Sequence, residues 1–533
     1  MTVISHIPAQ RERGIAWLLA WPRVALTLLC LLMWLPGFFT LPPGDRDESR
    51  FAQATHQMLE TGDFVRILNG TEARNRKPIG IHWLQLPFVA AAEALGLAQE
   101  NPIWPYRIPS ALGGLLAVLM TFEAGQTLFD RRTGALAAAM LAACVALTVE
   151  VHIAKTDAAL LGVTTAAMAA LARAYVGEIG ARGAAVFWLA IGAGILLKGP
   201  ITPMVAGLTA GALCIADRRV GWLRGLRAGW GVPLMLAVVL PWFVAIGVAT
   251  HGRFFAEAVG GDLARKLSSG DDAHGGWPGL HLLLAPVLLF PASAALPGAA
   301  LFAWRARASP SVRFVLAWVG PAWIVFEAAP TKLPHYTLPL YPALCLLAAC
   351  GVGVVWTRAV RWGGAGLAGV AAAGFAVAAA GGPMLLGGAP FIPGLVAASV
   401  VGIVAVRRVA LAPLVAPLLY AAVLGIELPR LSALWLAPRI VAALPPGTAL
   451  GSVGFSEPSL MFLAGTGTQW LRAADGARAL ADGTVGALVV GDRDMGPFES
   501  AAAALGMTPR VMAVVPGFNI SRGRFVVLTL LER

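Results

Sequence analysis

Apolar stretches that approach or exceed the roughly 20 residues needed to cross a bilayer recur along this chain, among them 24–40, 110–129, 229–249 and 337–356. A water-soluble helical core has no use for so many of them. Composition agrees: 58% of residues are hydrophobic, 13% are charged and the mean hydropathy is +0.74, where soluble domains carry about a quarter charged residues. The chain reads as an all-α polytopic membrane protein.

Short arginine clusters then set its orientation. Arg131-Arg132, Arg182, Arg218-Arg219, Arg305 with Arg307, Arg358 with Arg361, and Arg407-Arg408 recur after every second apolar run. The positive-inside rule places those gaps in the cytoplasm. The alternate gaps, 41–106, 149–156, 198–200, 251–276, 329–336 and 381–389, are then external. Arg11, Arg13 and Arg23 precede the first run and no small-residue cleavage site follows it, so it is expected to be an uncleaved anchor with a cytoplasmic N-terminus. About thirteen spans are expected, ending near Ile426. Net charge +12 raises the question of nucleic acid, but arginines spaced between apolar runs are accounted for by membrane topology. The five cysteines lie within apolar runs without metal-ligand spacing and read as packing residues.

The division expected is 1–426 as the membrane unit and 427–533 as a small external α/β domain. In the tail, β-prone runs at 449–453, 486–491, 510–515 and 525–531 alternate with Ala-rich helical stretches at 474–481 and 498–505.

The chain has five lysines against thirty-five arginines. All five (Lys77, Lys155, Lys198, Lys266 and Lys332) fall in the external gaps. The acidic cluster Asp45-Arg46-Asp47-Glu48 follows the first run directly, and a helix starting near Glu48 puts Asp47 at or near its N-cap, where the dipole favours the carboxylate. Further along, Asn69-Gly70 marks a turn, and Arg74, Arg76 and Lys77 arrive just before the apolar run 79–86. Such cations suit phosphate oxygens. Asp157 beside Lys155, Lys198 before Gly199-Pro200, Asp262 with Arg265 and Lys266, and Lys332 with His335 and Tyr336 add charge at other helix ends. Ions beside hydrocarbon are expensive, so several on one face imply a shared site. A loosely held divalent ion is a further option, with Glu48, Asp262 and His274 as its candidate ligands. No spacing matches a zinc motif.

Taken in order, Asp47-Glu48-x-Arg50-Phe51, Lys77-Pro78 ahead of Trp83, Lys198-Gly199-Pro200, and Lys332-Leu333-Pro334-His335-Tyr336 with 338–342 resemble the bacterial GT-C glycosyltransferases. The likeness is to those related to the aminoarabinose transferase of lipid A and to protein mannosyltransferases. It covers about the first 360 residues. The resemblance implies transfer of a sugar from a polyprenyl-phosphate carrier to a periplasmic-side acceptor (lipid A, another envelope glycan or lipid, or a protein), with inversion and without a nucleotide sugar. It makes Asp47 the catalytic aspartate. Arg50, Lys77, Asp157, Lys198, Arg265, Lys332, His335 and Tyr336 become candidates for holding donor phosphate or substrate. One departure is Arg76, where relatives that use aminoarabinose usually carry an acid. The expected location is the bacterial inner membrane. The rival reading is a secondary transporter of a polar or anionic solute; a long first external segment without a counterpart in the second half counts against the repeats such carriers show.

Overall fold

The computed structural model describes residues 20–75, 77–97, 101–258, 276–354 and 356–533. Its helices are α1 (Pro22–Trp34), α2 (Asp47–Thr61), α3 (Gly80–Ala94), α4 (Trp104–Leu128), α5 (Arg131–Ala142), α6 (Val145–Val151), α7 (Thr156–Val176), α8 (Ala181–Lys198), α9 (Ile201–Asp217) and α10 (Ala228–Ala249). There follow α11 (Leu280–Leu288), α12 (Leu296–Ala306), α13 (Pro310–Ala328), α14 (Tyr341–Val352), α15 (Arg358–Leu385), α16 (Ile392–Arg407) and α17 (Ala412–Tyr420). A 3₁₀ turn, Pro334–Leu340, runs directly into α14.

Among the described residues, eight helices are long and apolar enough to cross a membrane, or up to ten when two bent pairs count as single spans. The pairs are α5 with α6, broken by 59°, and α11 with 292–306, broken by 111°. Reaching the expected count of thirteen also requires the shorter apolar helices α1, α9 and α16 to cross. The chain is a multi-pass membrane protein. Its first apolar run is only partly helical, because Pro36-Gly37 ends α1 at Trp34. Gly37 sits at φ 81°, and a β-carbon there would lie 2.6 Å from the Leu424 carbonyl oxygen. That close approach seats the end of the first run on the last span, Val409–Arg430.

Helices α4 and α7 approach through small residues, as membrane helices do when backbones touch. A β-carbon on Gly113 would fall 2.4 Å from the Ala159 α-carbon, and one on Gly162 would fall 2.5 Å from the Gly113 carbonyl oxygen. This contact fixes the N-terminal turn of α7, which carries Asp157.

Between α1 and α4 lies a polar layer. It holds α2, a two-stranded ladder of β1 (Leu68–Asn69) and β2 (Glu72–Ala73), and α3. The turn at Asn69-Gly70 forms as expected and is clamped by Gln57, whose side chain donates to the Gly70 carbonyl at 2.8 Å and accepts from its N–H at 2.9 Å.

Past Arg430 the chain builds a three-layer α/β unit. Its sheet has the order β4-β3-β5-β7-β6, with β3 (Leu450–Val453), β4 (Gln469–Leu471), β5 (Ala487–Gly491), β6 (Arg510–Asn519) and β7 (Arg524–Glu532). Strands β3, β4 and β5 are parallel, whereas β7 is antiparallel to both β5 and β6. Helices α18 (Leu436–Val441) and α19 (Pro458–Ala464) cover one face, while α20 (Ala473–Ala481) and α21 (Met495–Ala504) cover the other. Both faces being covered explains why β3 and β5 are buried along their whole length. The strands and helices expected in the tail are present, and α18, α19 and β4 are additions to them.

Candidate functional site

Helix α2 opens at Asp47, one residue before the position expected for its start, and Arg46 takes the cap position at φ 61° and ψ −107°. That conformation suits glycine at the first central position of a II′ turn, and in a residue with a side chain it costs on the order of 1–3 kcal/mol. Asp47 is more than half exposed. Its carboxylate lies 3.8 Å from Arg74, which the β1–β2 ladder carries in, and the Arg74 guanidinium stands 4.5 Å over the Phe51 ring. Arg50 is exposed one helical turn on, and Lys77 is half-buried ahead of α3.

Glu48, one residue further, points the opposite way and is buried. Its two oxygens accept from Arg107 Nε at 2.8 Å and Nη2 at 3.0 Å, from the Gly44 N–H at 2.7 Å and from the Ala154 N–H at 2.9 Å. Arg107 uses its remaining donors on the carbonyls of Phe38, Leu41 and Pro42. With four donors already on its oxygens, Glu48 has no lone pair directed at a cation, which corrects its candidacy as a metal ligand. It is the architectural pin that ties the first loop to α4 and to the α6–α7 connection. Among the described residues no group of three His, Cys, Asp or Glu side chains is arranged to hold a metal. Asp262, Arg265, Lys266 and His274 lie outside the described residues.

Beside Asp47, the ends of α6, α7, α8 and the turn preceding α14 bring five ionisable groups together. Lys155 Nζ lies 3.0 Å from Glu150 and 3.6 Å from Asp157, and Lys198 is hydrogen-bonded to Asp157. His335 spans both acids, with Nδ1 3.5 Å from Glu150 and Nε2 3.6 Å from Asp157. Lys198 Nζ also stands 5.3 Å from the centre of the Tyr336 ring. Burial alone would depress the Lys155 ammonium, but Glu150, Asp157 and the nearby Asp47 hold it above the ordinary lysine value. The cluster is a matched set of acids and bases at one end of the bundle. Asp157, Lys198, His335 and Tyr336, singled out separately in the sequence, lie together here.

Lys332 has a different task. Its ammonium donates to the Gly276 and Ala329 carbonyls at 3.0 and 2.7 Å and braces the loop before the 3₁₀ turn.

Sequence reasoning passed over Glu150, Arg107 and His82. The first two were detectable as single ions within or beside apolar runs. His82 is fully buried. Its Nδ1 is 2.8 Å from the Thr55 hydroxyl, which also reaches Gln85 at 2.6 Å; Gln85 in turn donates to the Tyr106 carbonyl at 3.1 Å. Burial, and then the Arg74 charge, push the His82 pKa down to about 3, so the ring is neutral at physiological pH.

The α/β unit closes over this layer. Phe462 of α19 packs among Ala52, Tyr106 and Ala154, and the Gln53 amide donates to the Thr466 hydroxyl at 2.7 Å. Ser459 donates to Asp45, whose pKa burial raises to about 6; Glu457 adds to the rise, and Ser459 and Arg46 oppose it. A carboxyl whose folded pKa exceeds its ordinary 3.8 contributes most to stability below that value and loses the contribution as pH rises through about 6. Docking of the tail is therefore expected to tighten from pH 7.5 to pH 5, read as slower hydrogen exchange in α19. Asp45→Asn should flatten the profile, and an unchanged profile in that variant would assign the effect elsewhere.

A bundle of apolar helices with buried ion pairs at one end, packed against an α/β unit, defines a multi-pass membrane protein with its charged cluster at helix ends. Residues 77–244 match the family model of dolichyl-phosphate-mannose-protein mannosyltransferases. The undecaprenyl phosphate-α-4-amino-4-deoxy-L-arabinose arabinosyl transferase of Pseudomonas paraeruginosa is 29% identical over 309 residues, 56% of this chain and 54% of that protein. The enzyme of the same name from Aeromonas hydrophila is 28% identical over 345 residues, 61% of this chain and 60% of that protein. The chain thus spans little more than half the length of these relatives. In fold it matches the crystal structure of ArnT from Cupriavidus metallidurans bound to undecaprenyl phosphate, with a TM-score of 0.75 at 22% identity over 97% of this chain and 98% of that one. The chain is thus similar in sequence to these transferases and shares the fold of ArnT.

Proposed function

We propose that this chain is an integral-membrane glycosyltransferase that moves a sugar from a polyprenyl-phosphate carrier, undecaprenyl phosphate in the named relatives, to an acceptor at the membrane surface. The observation that carries the reading is Asp47: a half-exposed carboxylate at a helix start, next to Arg74 and to the buried cluster of Glu150, Lys155, Asp157, Lys198 and His335.

The leaving group is a phosphate diester becoming a monoester, already anionic. Cations must take up its growing charge, and no general acid is required. Arg50, Arg74 and Lys77, cations near Asp47 at the start of α2 and ahead of α3, are the groups proposed to do this. Asp47 takes the proton of an attacking hydroxyl, or orients an attacking phosphate. A single displacement inverts the anomeric centre. The cluster under Tyr336 then shapes the sugar or acceptor pocket, with Asp157 and His335 as its polar wall; Arg265 remains a candidate from the sequence. In this reading residues 1–426 form the catalytic membrane unit and 427–533 a periplasmic domain, in a bacterial inner membrane with the N-terminus in the cytoplasm. Acceptors of the class are lipid A, another envelope glycan or lipid, or a protein.

Against a solute carrier stands the placement of the charges, which lie at helix ends and not at mid-span. Mass spectrometry of envelope lipids and glycans is expected to show a glycan addition that disappears when the chain is deleted. An unchanged profile would favour the carrier. Lys77→Ala is expected to slow transfer mainly at limiting donor, and a rate unaffected there would remove Lys77 from the donor-phosphate site.

A further inference from the structure

We infer that the C-terminal α/β unit is what presents Asp47: Ser459 on α19 and the Ser521 carbonyl in the β6–β7 turn hold the side chains of Asp45 and Arg46, and through them favour the backbone conformation that starts α2 at the carboxylate. The inference rests on Asp47 being the reacting group. Arg46 occupies a region of backbone space that glycine adopts freely and arginine does not. Holds on this turn come from both halves of the molecule, and the outer ones come from the tail.

Residue 45 accepts the Ser459 hydroxyl, and Arg46 Nη2 donates to the Ser521 carbonyl at 2.5 Å. Ser459 is buried at the interface. These two holds belong to one rigid piece, because Asn519 at the end of β6 donates to Glu457 at 3.1 Å and accepts from the Arg522 N–H at 3.0 Å. On the membrane side the same turn is gripped by the Gly44 N–H on Glu48 and by the Ser49 hydroxyl on the Gly44 carbonyl at 2.6 Å. Arg46 is therefore stretched between two clamps, one from each half of the molecule. Releasing the outer clamp lets its φ return to negative values and swings Asp47, the next residue, away from Arg74 and the cluster. Ser459 is thus a positioning residue.

The test uses the full-length chain in cells, reading the glycan addition by mass spectrometry, and the purified chain in detergent, reading hydrogen exchange at residues 47–51. Ser459→Ala is expected to lower transfer about tenfold and to speed exchange in that segment. Ser459→Thr, which keeps the hydroxyl, should restore both. Placing Arg46→Gly in the Ser459→Ala background should recover most of the transfer, because glycine keeps the turn without a clamp. A merely structural serine would not be rescued by a glycine two segments away. Parent-level transfer and exchange in Ser459→Ala would overturn the inference, as would failure of Arg46→Gly to restore transfer in a folded double variant. Full transfer by Asp47→Asn would instead remove the premise, whatever the Ser459 variants do.

Discussion

Asp47→Asn is expected to lower transfer by roughly 10²–10⁴-fold, the span associated with losing a positioned proton acceptor, while the amount of protein in the membrane stays at the parent's level. The two halves of this expectation have separate causes. The side chain is 54% exposed and pairs with Arg74 only at 3.8 Å, and an ion pair of that kind contributes about 0–1 kcal/mol to stability. The asparagine amide oxygen can still face the largely buried Arg74 guanidinium. The chemical contribution of Asp47 does not scale with that small structural one, because a base acts only where its oxygen meets the acceptor. Quantifying the glycan addition against immunoblotted membrane protein checks both halves. Near-parent transfer by the variant would take Asp47 out of the reaction.

Glu48→Ala, one residue along, is expected to do the reverse. The buried Arg107 would lose its carboxylate partner, and deleting one member of such a pair costs about 3–5 kcal/mol. We expect little inserted protein and a markedly lower melting temperature in detergent. Glu48→Gln paired with Arg107→Met should be milder than Glu48→Ala, since neither charge is then left without a partner. A Glu48→Ala protein that melts with the parent yet fails in transfer would show that Glu48 acts in the reaction after all. Adjacent acids are thus expected to separate, one into chemistry and the other into architecture.

That separation marks where the sequence stops being readable. The apolar runs disclose a membrane bundle because their length is dictated by the bilayer, and the tail's alternation discloses an α/β unit because buried parallel strands demand continuous apolar runs. Asp157, Lys198 and His335 were legible as costly ions at span ends, and the structure joins them directly. Which face of α2 each acid takes was not legible, because that depends on Arg107, fifty-nine positions away. Lys332 illustrates the same limit: its position beside His335 matched the motif, yet its ammonium turns to two backbone carbonyls. The contact between Asp45 and Ser459, more than four hundred positions apart, is likewise set only when the tail folds back.

Asp157 and Lys198 sit at the two ends of one helical hairpin, α7 and α8, closed by residues 177–180. In the proposed orientation both must be carried through the hydrocarbon while the chain is being inserted. A lone ammonium or carboxylate resists that passage, but a hairpin that crosses as a unit brings the two side chains together and lets them travel as a neutral couple. The ion pair that ends up in the charged cluster is then also a passport for biogenesis. Glu150 and Lys155, close in sequence on the preceding segment, can make the same journey paired; His335 arrives afterwards, on a helix synthesised much later, to find the charges already balanced.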